Sequence, residues 1–141
     1  MSGLRERRHA ETRQAIVDAA FTLFDKHGFS DTVMDHIAEH AGVSRSTLYR
    51  RYRSKEDIVL DVPRGWLAAW DDAIEALPQD VELVEAIAAG CNAVANEIDS
   101  STDRVLAAYA ALAESPTLQS SGPANAEWLE RFEQLLSLIH I

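Results

Sequence analysis

Between Ser44 and Lys55 the chain carries Arg45, Ser46, Thr47, Tyr49, Arg50 and Arg51, with no acidic residue anywhere in the stretch. All six side chains can donate hydrogen bonds, and the three arginines are cationic. Leu48 and Tyr52, four apart, read as the inward side of a short helix, which leaves the donors on its exposed side. A face made almost wholly of donors suits phosphate oxygens and base edges in a DNA major groove. Two blander alternatives share the pattern. Basic runs are commonly solvated faces, and helical hairpins with a glycine turn are frequent in proteins with no DNA partner.

Those donors need a scaffold, and the flanking residues supply one. Ser44 can cap the donor helix, and Gly42 can take the positive φ needed to leave the helix before it. Met34, Ile37, Ala38 and Ala41 give that earlier helix a narrow apolar face, with Thr32 as its expected N-cap and Asp35 completing a shortened capping box. Val43 plugs the turn. A longer helix is expected from about Thr12 to His27, where Ile16, Ala19, Ala20, Leu23 and Phe24 form a stripe and Gly28 ends it. It should pack across the other two, with Phe29 tucked beneath. Residues 32–55 read as a helix-turn-helix inside a three-helix head. Ahead of it Arg5, Arg7 and Arg8, with Arg13 beyond, form a basic N-terminal arm. The arm reads either as a disordered tail or as a segment reaching phosphates or a minor groove.

This stretch resembles the DNA-binding domain of the TetR (tetracycline-repressor-like) regulators. The matching positions are Gly28-Phe29, Thr32, Ile37-Ala38, Ala41-Gly42-Val43-Ser44, Thr47-Leu48-Tyr49, Tyr52 and Ser54-Lys55-Glu56. The family often has Ser or Thr where Val33 stands, a small residue or Gly at Ser46, and Phe at Tyr52. The loss at Val33 removes one phosphate contact, for which Arg50 and Arg51 are the candidate replacements. The resemblance implies a DNA-binding surface of Thr32, Ser44, Arg45, Ser46, Thr47, Tyr49, Arg50, Arg51 and Lys55. Within it Thr47, Tyr49 and Lys55 would hold the backbone, and Arg45, Ser46 and Arg51 would read bases. It also implies a palindromic double-stranded operator, a small-molecule effector, and a homodimer in the full-length form.

A net charge of −10 over 141 residues would ordinarily argue against nucleic acid. The charge is unevenly placed, however. Residues 1–55 hold ten Lys and Arg against seven Asp and Glu, whereas residues 56–141 hold three against sixteen. This is the footprint of a DNA-contacting head on an acidic body. We expect a helix-turn-helix domain over 1–57 and a helical regulatory domain over 58–141. Cys91 is the only cysteine, the longest unbroken apolar run (Val105 to Ala113) is too short for a bilayer, and the first residues are polar and basic. These point to a cytoplasmic chain with no membrane partner.

Past the head, the pattern predicts only helices, so the fold class is all-α. One helix should start at the Ser54 cap, with Asp57 completing it, and run toward Leu77 with a kink or break near Asp61 to Gly65 caused by Pro63. In the family this helix links head to body, so a hinge there could carry a signal. Trp66 and Trp70, one turn apart, with Tyr109 on a later helix, are the candidate ligand-pocket residues; the competing reading is plain core. Asp80 should cap a helix over Val81 to Ile98 with Leu83, Val84, Ile87, Ala88, Cys91, Val94, Ala95 and Ile98 inward, making Cys91 an inert buried thiol. A helix from Arg104 to Glu114, a loop over Ser115 to Pro123, and a last helix carrying Trp128, Leu129, Phe132, Leu135, Leu136 and Ile139 complete the reading. TetR-like chains continue through two more long helices that build the dimer's bundle, so this chain reads as truncated or as an unusually short relative.

His36 and His40 sit at i, i+4 with Glu39 between, a spacing able to bind a divalent ion, but two histidines without a third fixed ligand are a weak constellation. No catalytic arrangement, metal site or cofactor motif is recognisable. The leading expectation is a DNA-binding transcriptional regulator, a repressor released by a small effector. The alternative is a helical interaction module that keeps the head fold without specific DNA binding.

Overall fold

The computed structural model describes residues 2–120 and, beyond them, Glu127, Leu129, Glu130, Arg131, Glu133, Gln134 and Ser137. Among these residues the elements are all helices: α1 (Ser2–His27), α2 (Met34–Ala41), α3 (Arg45–Arg51), α4 (Lys55–Val59), α5 (Asp61–Glu75), α6 (Leu83–Ser100), α7 (Thr102–Glu114) and α8 (Pro116–Ser120). The all-α class matches the expectation. Trp128, Phe132, Leu135, Leu136 and Ile139, expected on the last helix, lie outside the described residues. Arg131, from the described part of that stretch, makes two hydrogen bonds to the Asp71 carboxylate at 2.9 and 2.8 Å.

The expected stripe of α1 is buried, and Ile16, Ile37, Leu48 and Ile58 from four successive helices are completely enclosed. Each such side chain contributes about 1.5–3 kcal/mol of transfer free energy. The cluster does not stop at the head. Val105 and Ala111 of α7 and Leu118 of α8 belong to it, packed with Phe21 and Phe24 of α1. A second, smaller cluster joins α5 to α6 around Trp70 and Ala86. There Gly90 is required by contact: a Cβ at that position would stand 2.4–2.8 Å from carbons of the Trp70 indole.

Several element boundaries differ from the sequence reading, each for a physical reason. α1 begins ten residues early because Arg5, Glu6, Arg7, Arg8, Ala10 and Glu11 favour helix without any apolar stripe to announce it. Thr32 is not the cap of α2. Val33 occupies that position without a side-chain cap, while the buried Thr32 hydroxyl donates to Gly28 O at 2.8 Å. The expected break falls at Leu60, so Pro63 is the third residue of a new helix, where its missing N–H costs nothing. Arg64 holds that corner, its guanidinium 2.6 Å from Asp57 Oδ1. α6 starts at Leu83 rather than at an Asp80 cap. A single residue, Ser101, separates α6 from α7. Part of the expected loop after Glu114 is helix α8, where the Ser115 hydroxyl accepts from Leu118 N at 3.3 Å and Pro116 opens the first turn.

The inward face of α6 is also rotated. Leu83, Ile87, Val94 and Ile98 pack inward as expected, but Ala86 and Gly90 accompany them. Val84 is 75% exposed, and Ala88, Cys91 and Ala95 face solvent with it. The bulk of Trp70 demands the smallest residues opposite, and that requirement turns the helix. Cys91 is therefore an exposed free thiol, not a buried one.

Candidate nucleic-acid interface

The donor helix α3 is only about 10 Å long, so its orientation depends on its two ends and its buried side. At its start the Ser44 hydroxyl accepts from Thr47 N at 3.1 Å and donates to Thr47 Oγ1 at 2.8 Å, with Ser46 Oγ 3.2 Å away. Three of the expected contact hydroxyls thus form one cluster at the helix N-terminus. Gly42, at φ 69°, makes the turn that brings α2 to this point. Leu48 and Tyr52 pin the helix from within, and the Tyr52 hydroxyl donates to Asp61 Oδ1 at 3.3 Å. Arg13 of α1 reaches the same carboxylate at 2.7 Å, which raises the Arg13 pKa.

On the outer side Arg45, Tyr49 and Arg50 are exposed. The Arg45 guanidinium lies 5.4 Å from the centre of the Tyr49 ring, and its Nε is 3.4 Å from Asp35 of α2. Its side chain remains 71% exposed, so this pairing orients the group without burying it. Arg51, at the other end, donates from Nη2 to His9 Nδ1 of α1 across 2.6 Å. His36 and His40 are exposed on α2, and no metal-binding group of three ligands occurs among the described residues.

Two expected contact residues are engaged elsewhere. Thr32 is 2% exposed and spends its hydroxyl on Gly28, so its side chain stands behind the surface. Lys55 turns inward. Its ammonium donates to the carbonyls of Phe29 (2.7 Å), Ser30 (3.2 Å) and Thr32 (3.0 Å) and sits 4.4 Å from the centre of the Phe29 ring. All three of its N–H donors are thereby used. The same turn is gripped from the other side, where Ser30 N and Oγ donate to Glu114 Oε2 at 3.1 and 2.9 Å. Nothing in the local sequence marks the Glu114 contact, because its partner is 84 positions away.

The candidate ligand residues do not converge. Trp70 is core at 3% exposure, Tyr109 is 61% exposed, and Trp66 packs against the larger cluster with its indole N–H buried and unpartnered. An open groove of about 940 Å³ lies elsewhere, between α1 and the α6–α7 junction, lined by Asp18, Phe21, Asp25, Asp99, Asp103 and Arg104 with their neighbours.

Residues 16–62 match the profile of the bacterial regulatory proteins of the tetR family. Over those residues the chain belongs to the TetR family. It is 33% identical over 125 residues to MftR of Mycobacterium tuberculosis, a transcriptional regulator named for mycofactocin biosynthesis, covering 88% of this chain and 63% of that one. It is 35% identical over 86 residues to the HTH-type regulator RutR of Escherichia coli K12, covering 61% of this chain and 41% of RutR. A TetR family regulator from Marinobacter aquaeolei VT8 has the same fold, with TM-score 0.61 and 22% identity over 96% of this chain and 70% of that structure. The chain thus spans roughly two-fifths to two-thirds of the length of the sequence relatives it matches. The donor helix α3, its Ser44 cap and its pinning residues Leu48 and Tyr52 all lie within the matched segment.

Proposed function

We propose that this TetR family chain is a DNA-binding transcriptional repressor whose residues 1–57 read an operator and whose helical body, 58–141, regulates that reading. The observation that carries the proposal is the outer face of α3, where Arg45, Tyr49 and Arg50 stand exposed while Leu48 and Tyr52 fix the helix from beneath. In this reading Arg45, with Ser46 beside it, meets base edges, and Thr47, Tyr49 and Arg50 take backbone oxygens. Lys55 and Thr32 serve the surface indirectly, by fixing the turn that holds α2. One short helix touches only a few base pairs, which supports a palindromic operator read by a homodimer with its recognition helices roughly 34–36 Å apart. Control by a small effector is supported by the contacts joining head to body: Ser30 with Glu114, Arg13 with Asp61, and Arg104 with Asp18. A change in the body can reach α2 through them.

The test is selection of bound duplexes from a random pool, followed by titration of the enriched sequence at several salt concentrations. A palindromic consensus bound well above scrambled duplex, with affinity falling steeply in salt, is the expected result. Enrichment of no sequence would favour the interaction-module alternative.

A further inference from the structure

The outer side of α3 is built almost wholly of donors, yet a carboxylate stands against its first residue. Asp35, in the first turn of α2, lies 3.4 Å from Nε of Arg45, and both side chains are largely exposed. A carboxylate on a surface that meets a polyanion costs affinity, because it repels the phosphates it approaches. An acid in a first helical turn does favour the helix. That role asks only for an acid near the start of α2; it does not ask for contact with Arg45.

The surroundings of Arg45 supply a use for the contact. Tyr49, one turn further along α3, sets its ring 5.4 Å from the guanidinium carbon, while Asp35 takes the Nε edge. The helix start on which they act is itself fixed, through the bonds between Ser44 and Thr47. Neither Nη1 nor Nη2 of Arg45 makes a hydrogen bond among the described residues. With Nε faced and the Nη pair open, the guanidinium presents its end-on fork of parallel N–H donors. That fork matches two acceptors side by side. In the major groove guanine offers them as O6 and N7, whereas adenine sets a donor beside its N7 and the pyrimidines offer one group each. An arginine already held in this attitude loses less rotamer freedom when it binds.

We propose that Asp35 is a positioning residue for base readout: it holds Arg45 by the Nε edge, and the open Nη fork of Arg45 reads a guanine in the operator. The inference rests on the DNA-binding reading and deepens it. In the free protein water weakens the pair. Against DNA the two charges lose part of that water, and their attraction grows. The carboxylate thus lowers affinity for DNA in general and raises the penalty for a wrong base.

The test uses the full chain. Duplexes selected from a random pool by the parent and by Arg45→Gln identify the operator position whose preference depends on Arg45, and the parent should select guanine there. Affinities are then measured on duplexes that differ only at that position, and on scrambled duplex. The variants are Asp35→Asn and Asp35→Ser, alone and combined with Arg45→Gln, with Tm recorded for each. Both Asp35 variants should bind scrambled duplex at least as tightly as the parent, while preference for guanine falls about two- to fivefold. In the Arg45→Gln background the same changes should leave base preference unmoved. A lowered Tm with all duplexes weakened alike would make Asp35 a helix-stabilising residue only and overturn the proposal. Unchanged or sharpened guanine preference in both Asp35 variants overturns it too, as does any base other than guanine, or none, at the Arg45 position. In each of these cases the DNA-binding reading stands. A parent chain that binds no duplex overturns both.

Discussion

Lys55→Met separates two roles that a basic residue next to a recognition helix can play. The substitution keeps a stem of similar length against the Phe29 ring but removes the ammonium that bridges the carbonyls of Phe29, Ser30 and Thr32 at 2.7, 3.2 and 3.0 Å. A hydrogen bond from a charged donor contributes about 1.5–3 kcal/mol net. The site is half-buried, so water recovers part of the loss, and the three bonds together should cost about 2–3 kcal/mol rather than their sum. At this chain length that lowers Tm by roughly 6–10 °C. Differential scanning calorimetry of the free protein reads the effect directly. If Lys55 instead neutralised a phosphate, Tm would stay put and the salt slope of DNA binding would become shallower by about 0.9. An unchanged Tm with that shallower slope would refute the inward assignment.

Other perturbations have equally definite outcomes. Gly90→Ala drives a methyl into the Trp70 indole and should destabilise by about 1–3 kcal/mol, visible in the denaturant midpoint and in tryptophan emission; parent-like stability would mean that α5 and α6 are not in this contact. Burial first, and the Asp61 carboxylate next, push the Tyr52 phenol up to about 12. Because the folded pKa lies above the unfolded value of about 10, the stabilisation is complete below about pH 10 and is lost as pH rises toward about 12. Tyr52→Phe should therefore show a flatter decline in stability over that window. Arg45→Ala should cost about 1–3 kcal/mol on the selected operator while leaving scrambled duplex nearly unaffected; an even loss on both would make Arg45 a backbone contact.

Local chemistry made much of the head legible. Ser44 caps α3, Gly42 turns the chain, and Leu48 and Tyr52 face inward, all of which follow from spacing over a few residues. What spacing cannot supply is a partner from elsewhere in the chain. Thr32 has the right chemistry for a cap, but α2 begins only after Val33, and the Thr32 hydroxyl is turned inward to donate to the carbonyl of Gly28. Lys55 looks like one more surface cation until the turn at Phe29 folds beneath it. On α6 the apolar residues run more than halfway round the helix, so periodicity alone could not choose which side is buried; Trp70 chose it by requiring Gly90. The first ten residues of α1 were not legible as helix, because helix propensity without an apolar stripe leaves no period to detect.

The hold of Glu114 on Ser30 has a consequence for how the chain is made. The head's residues leave the ribosome first, yet Val105, Ala111 and Leu118 complete its apolar cluster, and Glu114 closes its turn. Until about residue 118 has emerged, Phe21 and Phe24 lack those covering side chains, and the nascent head is left incomplete. Pairings this distant in sequence form late, because the long loop must close before the contact rewards it. The DNA-reading surface should therefore acquire its final stability only when most of the body has been synthesised. A head released at residue 57 should be looser and more prone to associate than the same residues in the whole chain.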